Sequence, residues 1–166
     1  MKNVVFGILV IFFALLSCRS DEDSLQKIDQ LFNLYMKNSA GQDLLNSKKS
    51  GSYTAISMND VNGTTDVAPV TFSLKMTTDS IYYIEYLAGA KRITVDSISP
   101  EDRTYQSEVT VSLTKPVGDS TEVTVDRLKI QYHWTPSLFE VSKVYYNDQL
   151  QFTKEPNVPN VVTIVK

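Results

Sequence analysis

Apolar residues follow two successive spacings along this chain. In residues 24–37 they recur three or four positions apart, which is the period of one face of an α-helix. Ser24 is a suitable N-cap, and residues 42–48 offer one more helical turn with Leu44 and Leu45 inward. The pattern predicts an amphipathic N-terminal helix that packs on the domain's own sheet or, alternatively, on a partner protein. Its apolar positions are Leu25, Ile28, Leu31, Phe32, Tyr35 and Met36.

From Gly51 onward, apolar and polar residues alternate, which is typical of strands with one buried face. Short strands without long helices between them favour an antiparallel β-sandwich or β-barrel. We therefore expect residues 24–166 to form one mainly β domain that begins with the helix. The alternating runs are 70–76, 93–95, 109–113 and 128–134, and the turn signals between strands include Asn62-Gly63, Pro116-Val117-Gly118 and Asn147-Asp148.

One predicted strand changes the parity of its apolar residues. Val123 and Val125 occupy odd positions, whereas Leu128 and the apolar residues after it occupy even positions. A shift of one residue turns every later side chain to the opposite face of a sheet. We therefore expect a β-bulge near Asp126-Arg127, with two separate strands as the alternative.

Residues 1–17 have the composition of a cleavable export signal. Lys2 gives a basic start, and Val4–Leu16 is apolar but shorter than the roughly 20 residues of a membrane-spanning helix. Leu15-Leu16-Ser17-Cys18 resembles the lipobox of bacterial lipoproteins. The resemblance implies cleavage before Cys18, acylation of that residue and a lipid anchor in the membrane. The alternative is an ordinary secreted protein with a stray cysteine.

A second motif follows the cysteine. Ser20-Asp21-Glu22-Asp23 resembles the acidic export signal of surface lipoproteins in Bacteroidota. This resemblance, which together with the lipobox covers residues 1–23, implies an outer-membrane lipoprotein that faces the cell exterior. Residues 18–23 would then be the acylated cysteine and an acidic tether. The alternative is that these acids are only a solvated tether or a helix start, where the helix dipole favours carboxylates.

The overall charge limits the possible partners. The chain has 16 Lys and Arg residues against 19 Asp and Glu residues, which gives a formal net charge of −3. This balance offers no basic footprint for nucleic acid, so we expect no nucleic-acid partner. It also offers no basic patch for anionic lipid, so we expect membrane attachment through the acyl chains on Cys18.

Few residues could carry catalysis. His133 is the single histidine, and the single cysteine, Cys18, is expected to carry lipid. The chain therefore offers no catalytic Cys–His pair and no Cys/His zinc cluster. His133 has the opposite parity to the apolar residues of its strand, so we expect it to face solvent. Glu101-Asp102 could be half of a carboxylate pair, but a solvated loop explains it as well. With no nucleotide-binding glycine motif either, we expect a protein that is not an enzyme and uses no cofactor.

The segment Asn59–Asp66 is the one candidate metal loop. It alternates oxygen-bearing side chains and contains a glycine, which suits calcium. The glycine comes too early for an EF-hand, and no glutamate closes the loop. Asn-Gly turns also form unaided. We therefore predict no metal site and leave calcium at this loop as an open alternative.

Tyrosines crowd the predicted strands on both parities, so they cannot all face one core. We predict that Tyr82, Tyr86 and Tyr146 are exposed rings that contact a ligand, although aromatic residues also favour strands for packing alone. The resulting hypothesis is a non-enzymatic binding or accessory module for a glycan, a peptide or a membrane-protein complex. The alternatives are a lipocalin-like carrier of a small apolar ligand and, less favoured, a hydrolase that uses His133 or a carboxylate pair.

Overall fold

The computed structural model describes residues 25–87 and 89–166. The predicted signal peptide, Cys18 and Ser20–Asp23 lie outside these ranges and stay predictions. Within the described ranges the chain is mainly β, as the sequence predicts, and contains no helix. The strands are β1 (Lys27–Asp29), β2 (Phe32–Lys37), β3 (Ala55–Asp60), β4 (Ser73–Met76), β5 (Tyr82–Tyr86), β6 (Ile93–Ser99), β7 (Asp102–Val117), β8 (Ser120–Trp134), β9 (Leu138–Tyr146), β10 (Gln149–Thr153) and β11 (Val161–Val165).

The larger sheet has seven strands and is built around the long β7–β8 hairpin. Its central order is β1-β9-β8-β7-β3, while β10 also pairs with β9 and β6 also pairs with β7. The β7–β8 ladder runs without a register shift from the pair Arg103–Trp134 to the pair Val117–Ser120. Gly118 lies in the connecting turn with a φ of 58°, a left-handed conformation that glycine adopts at little cost.

The smaller sheet has four strands in the order β11-β2-β5-β4. Strands β2 and β11 are parallel, and so are β1 and β9 in the larger sheet. The prediction of a purely antiparallel fold is therefore wrong, because the sheets are mixed. Both parallel pairs join strands that are far apart in the chain, so no hairpin turn constrains their direction. The two sheets curl in the manner of half a barrel.

One hydrophobic core lies between the two sheets. Both sheets contribute alternate side chains to it, as strands with one buried face do. The largest fully buried side chains include Phe32, Leu34 and Ile84 from the smaller sheet and Leu113, Ile130 and Tyr132 from the larger one. Val111 belongs to the apolar positions of the alternating run 109–113, and it has no solvent exposure, as expected for the buried face of that strand.

The helix predicted for residues 24–37 is wrong over the described residues, which form β1 and β2. Phe32, Leu34 and Met36 alternate into the core, with exposed fractions of 0%, 0% and 1%. Positions 32 and 36 fit a helical spacing and a strand spacing equally well. The segment forms a strand because it pairs with β5 and β11. Ile28 is 62% exposed, so its predicted inward position is also wrong.

Residues 42–48 form turns instead of the predicted helical turn. Leu44 and Leu45 are nevertheless buried, as expected. The buried Asp43 carboxylate holds this segment in place, because it accepts hydrogen bonds from the backbone N–H groups of Leu45 at 2.9 Å and Tyr82 at 2.8 Å. Side-chain hydrogen bonding of this kind stabilises a turn in place of a helix.

The bulge predicted near Asp126-Arg127 is also wrong, since β8 keeps one register against β7 through this point. Val123 and Val125 lie on the outer face and are 58% and 62% exposed, whereas Leu128 has no exposure. The buried Asp126 takes the inward position that parity assigns to it. The two valines are therefore surface residues of the hairpin. Because they stay exposed, the strand needs no change of register.

Candidate binding site

An open cleft lies at one end of the core, where the inner face of the larger sheet reaches solvent. Its volume is about 450 Å³. Most of the described side chains that form it are either aromatic rings or planar polar groups, and none of these described side chains is acidic. They are Gln26, Ile28, Gln30, Arg92, Tyr105, Trp134 and Phe139. This composition is typical of a ligand site with an apolar surface and a few polar groups that orient the ligand.

Strand pairing explains why the aromatic residues meet here. Trp134 is paired with Phe139 across β8 and β9, so both rings point to the inner face. Tyr105 is paired with Tyr132 across β7 and β8, which places it on the same face. Ile28 of β1 is paired with Phe139, and the cleft therefore extends to the edge strand of the sheet.

Strand β1 separates two surfaces through the alternation of its residues. Gln26, Ile28 and Gln30 line the aromatic cleft, whereas Lys27 and Asp29 line a polar groove on the other side. The Gln26 side-chain amide donates a hydrogen bond to the Thr135 carbonyl oxygen at 2.7 Å. This contact fixes an amide at the wall of the cleft.

Arg92 is held at the cleft by hydrogen bonding and by stacking. Its Nη2 atom donates to Oε1 of Gln30 at 2.7 Å. Its guanidinium carbon lies 4.7 Å from the ring centroid of Phe139 and 5.1 Å from that of Tyr132. Cation–π contact of this kind orients the planar group and reduces the entropy that it would lose on binding a ligand.

A buried polar network lies beneath Arg92. The hydroxyl groups of Tyr132 and Ser107 are 3.1 Å apart, and the backbone N–H of Ala90 donates to the Tyr86 hydroxyl at 3.3 Å. Burial raises the pKa of Tyr132, although hydrogen bonding by Ser107 and the charge of Arg92 act in the opposite direction. Burial also raises the pKa of Tyr86. Both phenols are therefore neutral near neutral pH, and they place no negative charge beneath Arg92.

The tyrosines predicted from the sequence are not the exposed rings. Tyr86 and Tyr146 are buried core residues, so their predicted exposure is wrong, and Tyr82 is half-buried against the core. The even positions of β5 face inward, and Tyr83 is therefore on the outer face. There it stacks on Tyr35, with ring centroids 5.3 Å apart. Residues 81–87 carry apolar side chains on both parities, so pattern alone could not assign the faces.

Sequence reasoning did not identify the cleft residues. Tyr105 and Trp134 lie in a chain with many aromatic residues, and nothing in the sequence selects them above the others. Arg92, Gln26 and Gln30 carry no motif that marks them. The one available signal was the position of Trp134 at the end of a predicted strand, where an inward ring can meet solvent.

His133 lies on the outer face, as predicted, with 37% of its side chain exposed. Its Nε2 atom is 3.1 Å from an oxygen of Asp102. The sequence placed Asp102 only in a loop, so this acidic neighbour is a new finding. Among the described residues, no hydroxyl group hydrogen-bonds to His133, and the pair therefore lacks a nucleophile.

Side chains of the segment Asn59–Asp66, the one candidate metal loop, hold its own turn structure. The two carboxylate oxygens of Asp60 accept hydrogen bonds from the backbone N–H groups of Asn62 at 2.9 Å and Lys91 at 2.6 Å. The side-chain oxygen of Asn59 accepts from the Ala68 N–H at 2.5 Å. These bonds explain the composition of the loop through its turn structure. Across the part of the chain that is described, no cluster of three His, Cys, Asp or Glu residues suits a metal ion.

The polar groove beside β1 is larger than the aromatic cleft, with a volume of about 780 Å³. Two of the charged side chains that line it pair with each other. The Lys154 ammonium group contacts Asp29 at 2.7 Å and Asn160 at 2.8 Å, and Asn160 in turn donates to Asp29 at 2.8 Å. This network joins β1 to the chain before β11. We therefore regard the groove wall as structural and the smaller aromatic cleft as the better binding site.

Comparisons with known proteins do not assign a function. No protein-family model, no curated protein and no solved structure matches the chain. Among the described residues, no helix has the length and apolar character needed to cross a membrane. Function must therefore be inferred from the chemistry of the cleft.

Proposed function

We propose that this protein is a non-enzymatic, lipid-anchored outer-membrane protein that binds carbohydrate at the cell surface. Acyl chains on Cys18 would hold it in the membrane, and Ser20–Asp23 would direct it to the exterior. The aromatic cleft would be the binding site. The observation that carries this proposal is the arrangement of Arg92 and Gln30 beside the rings of Tyr105 and Trp134.

The chemistry of a sugar matches this arrangement. A sugar ring presents apolar C–H groups on its faces and hydroxyl groups around its edge. Aromatic rings such as Trp134 and Tyr105 pack against the faces. Amide and guanidinium groups offer paired hydrogen bonds to neighbouring hydroxyls, and Gln26, Gln30 and Arg92 supply these groups.

The position of the cleft in the chain suits a surface ligand. Gln26 follows Cys18 by eight residues. A fully extended chain spans at most about 3.6 Å per residue, so the cleft would lie within ~30 Å of the lipid anchor. A short tether therefore keeps the site next to the membrane, where surface glycans are concentrated.

Two other functions have weaker support. A lipocalin-like carrier needs a cavity inside the fold, but large side chains such as Tyr86, Tyr132 and Phe32 fill the space between the sheets. A hydrolase gains an acidic neighbour for its histidine in Asp102. It still needs a nucleophile or a bound water in reach of His133, and the hydrogen bonds of the described residues provide no side chain for that role.

The direct test is carbohydrate binding by the full-length acylated protein in detergent micelles. We expect binding of surface oligosaccharides on a glycan array, followed by saturable binding in calorimetry. Trp134→Ala should abolish it. Tyr83→Ala is the matched control, because it removes an outer-face ring far from the cleft. Equal loss in both variants, or no binding of any oligosaccharide, would contradict the proposal.

The anchor is tested separately. Cys18→Ala should give an unprocessed protein that no longer enters the detergent phase. Replacement of Asp21, Glu22 and Asp23 with Ala should keep acylation but remove protease accessibility on whole cells. Persistent lipid labelling in the first variant, or persistent surface exposure in the second, would contradict the corresponding assignment.

A further inference from the structure

Arg92 has no carboxylate partner among the described residues, and it shares this property with Arg103 and several lysines. What sets Arg92 apart is its position in the aromatic cleft. Some basic side chains on the outer faces form ion pairs, such as Arg127 with Glu108 at 3.0 Å and Lys75 with Glu85 at 2.6 Å. Lys154 and Lys166 pair with Asp29 and Asp126. Among the described residues, the hydrogen-bond partner of Arg92 is the neutral amide of Gln30.

The charge of the cleft also differs from that of the whole chain. The chain has a formal net charge of −3. Among the described residues, the cleft is lined by one guanidinium group, two amides and apolar or aromatic side chains, without an acid. A second guanidinium, that of Arg103, lies 5.4 Å from the ring centroid of Trp134. The cleft is therefore a local positive region on an acidic protein, which favours an anionic ligand.

We propose that the carbohydrate bound in this cleft is an acidic sugar whose carboxylate contacts Arg92. This inference rests on the proposed carbohydrate-binding function and specifies its ligand class. A guanidinium group presents five N–H donors in a planar fork that matches the two oxygens of a carboxylate. One of these donors is occupied by Gln30, and the stacking on Phe139 and Tyr132 holds the plane in position.

The rest of the cleft explains why the anion would be part of a sugar. Trp134 and Tyr105 provide ring surfaces beside Arg92, and Gln26 and Gln30 provide amides for hydroxyl groups. A small inorganic anion would leave the rings and amides unused. A carboxylate carries one negative charge and is planar, so it complements one guanidinium group in both charge and shape.

The test compares hexuronic acid oligosaccharides with their carboxyl-reduced, neutral counterparts by calorimetry on the full acylated protein. We expect the acidic form to bind about tenfold or more tightly, since charge-assisted bidentate hydrogen bonds are among the strongest available. The preference should shrink as salt rises. Arg92→Gln should remove the preference while retaining weak binding of the neutral form.

Arg127→Gln is the matched control, because Arg127 is an exposed arginine on the outer face that is paired with Glu108. It should retain the preference. Equal affinity for the two oligosaccharides, or a preference unchanged in Arg92→Gln, would overturn the acidic-sugar inference and leave carbohydrate binding intact. Tighter binding of sulfated oligosaccharides would also overturn it. Failure of both forms to bind would count against the carbohydrate proposal itself.

Discussion

The two ends of the larger sheet's inner face use tyrosines and charges in opposite ways. At the sealed end, formed by Asp126, Tyr146, Asn147 and Lys166, every polar group meets a protein partner. Tyr146 donates to Asp126 at 2.7 Å, Asn147 donates to the same carboxylate at 2.8 Å, and Lys166 forms an ion pair with it. Asp126 is therefore buried, with 5% exposure, at little cost.

At the open end, formed by Gln30, Arg92, Tyr105, Trp134 and Phe139, the charge meets rings and an amide instead of a carboxylate. The same strands build both ends, so local strand structure does not explain the difference. The difference lies in what covers the inner face: the sealed end is closed by Lys166 and the β9–β10 turn, whereas no described residue closes the open end. We therefore assign a structural role to the paired charges of the sealed end, and we propose the guanidinium group beside the half-buried rings of the open end as a ligand contact.

The largest effect should come from a charge placed in the core between the two ends. Val111→Asp would bury a carboxylate without a partner, and we expect it to lower the free energy of unfolding by at least ~3 kcal/mol. Val123→Asp is the matched control on the outer face of the same hairpin and should cost less than ~1 kcal/mol. Chemical denaturation checks both values. Similar midpoints for the two variants would contradict the assigned faces.

The next effect concerns the sealed end. Asp126→Ala removes the common acceptor of Tyr146, Asn147 and Lys166, and it should cost about 2–4 kcal/mol, since it leaves buried donors without a partner. Tyr146→Phe removes one hydrogen bond and should cost about 1 kcal/mol. Denaturation of the two variants tests this order. A milder effect of Asp126→Ala than of Tyr146→Phe would mean that the network does not close this end.

The same network predicts that the stability of the fold depends on pH. Burial by itself would raise the pKa of Asp126, but hydrogen bonds from Asn147, Lys166 and Tyr146 outweigh it and hold the pKa below its ordinary value of 3.8. A carboxyl group whose pKa is lower in the folded state contributes stability that is present above its unfolded pKa and is lost as the pH falls through its folded pKa.

Wild type should therefore lose its stability advantage over Asp126→Asn as the pH falls below about 4, while the difference should be constant near neutral pH. Thermal unfolding of both proteins across this range measures it. A difference that grows on acidification would contradict the lowered pKa.

The smallest effect on stability should come from the open end. Arg92→Gln changes an exposed side chain without a carboxylate partner in the described chain, so its free energy of unfolding should lie within ~0.5 kcal/mol of wild type. Its affinity for acidic oligosaccharides should nevertheless fall about tenfold or more. Parallel denaturation and calorimetry separate the two properties. A large loss of stability would place Arg92 with the structural charges of the sealed end.

The sequence predicts the parts of the fold in which local pattern and final contacts agree. Alternation over residues 109–113 and 128–134 predicts strands within β7 and β8 and the buried face to which Val111 belongs, because one buried face imposes period two. The pattern misled for β2, because Phe32 and Met36 fit both the helical period and the strand period. Pairing with β5 and β11, which are distant in sequence, determines that this segment is a strand. The pattern failed for Tyr82 and Tyr86 because β5 and its flanks are apolar on both parities.

The pattern of apolar and polar residues could not predict the cleft, for a different reason. Its residues come from β1, β7, β8, β9 and the segment before β6, and no spacing in the chain brings Arg92 to Gln30. Only the parallel pairing of β1 with β9 places Ile28 and its neighbours over Phe139. Predicting the site would require predicting that long-range pairing first.

The most direct test of the cleft as the binding site uses its tryptophan. The chain contains one tryptophan, Trp134, so its fluorescence reports on the cleft without interference. Titration of the acylated protein with a hexuronic acid oligosaccharide should change the emission saturably, with the same dissociation constant as calorimetry, and Arg92→Gln should weaken the response. Unchanged emission at concentrations that saturate the protein in calorimetry would contradict binding in the cleft, because the ligand would then occupy another surface.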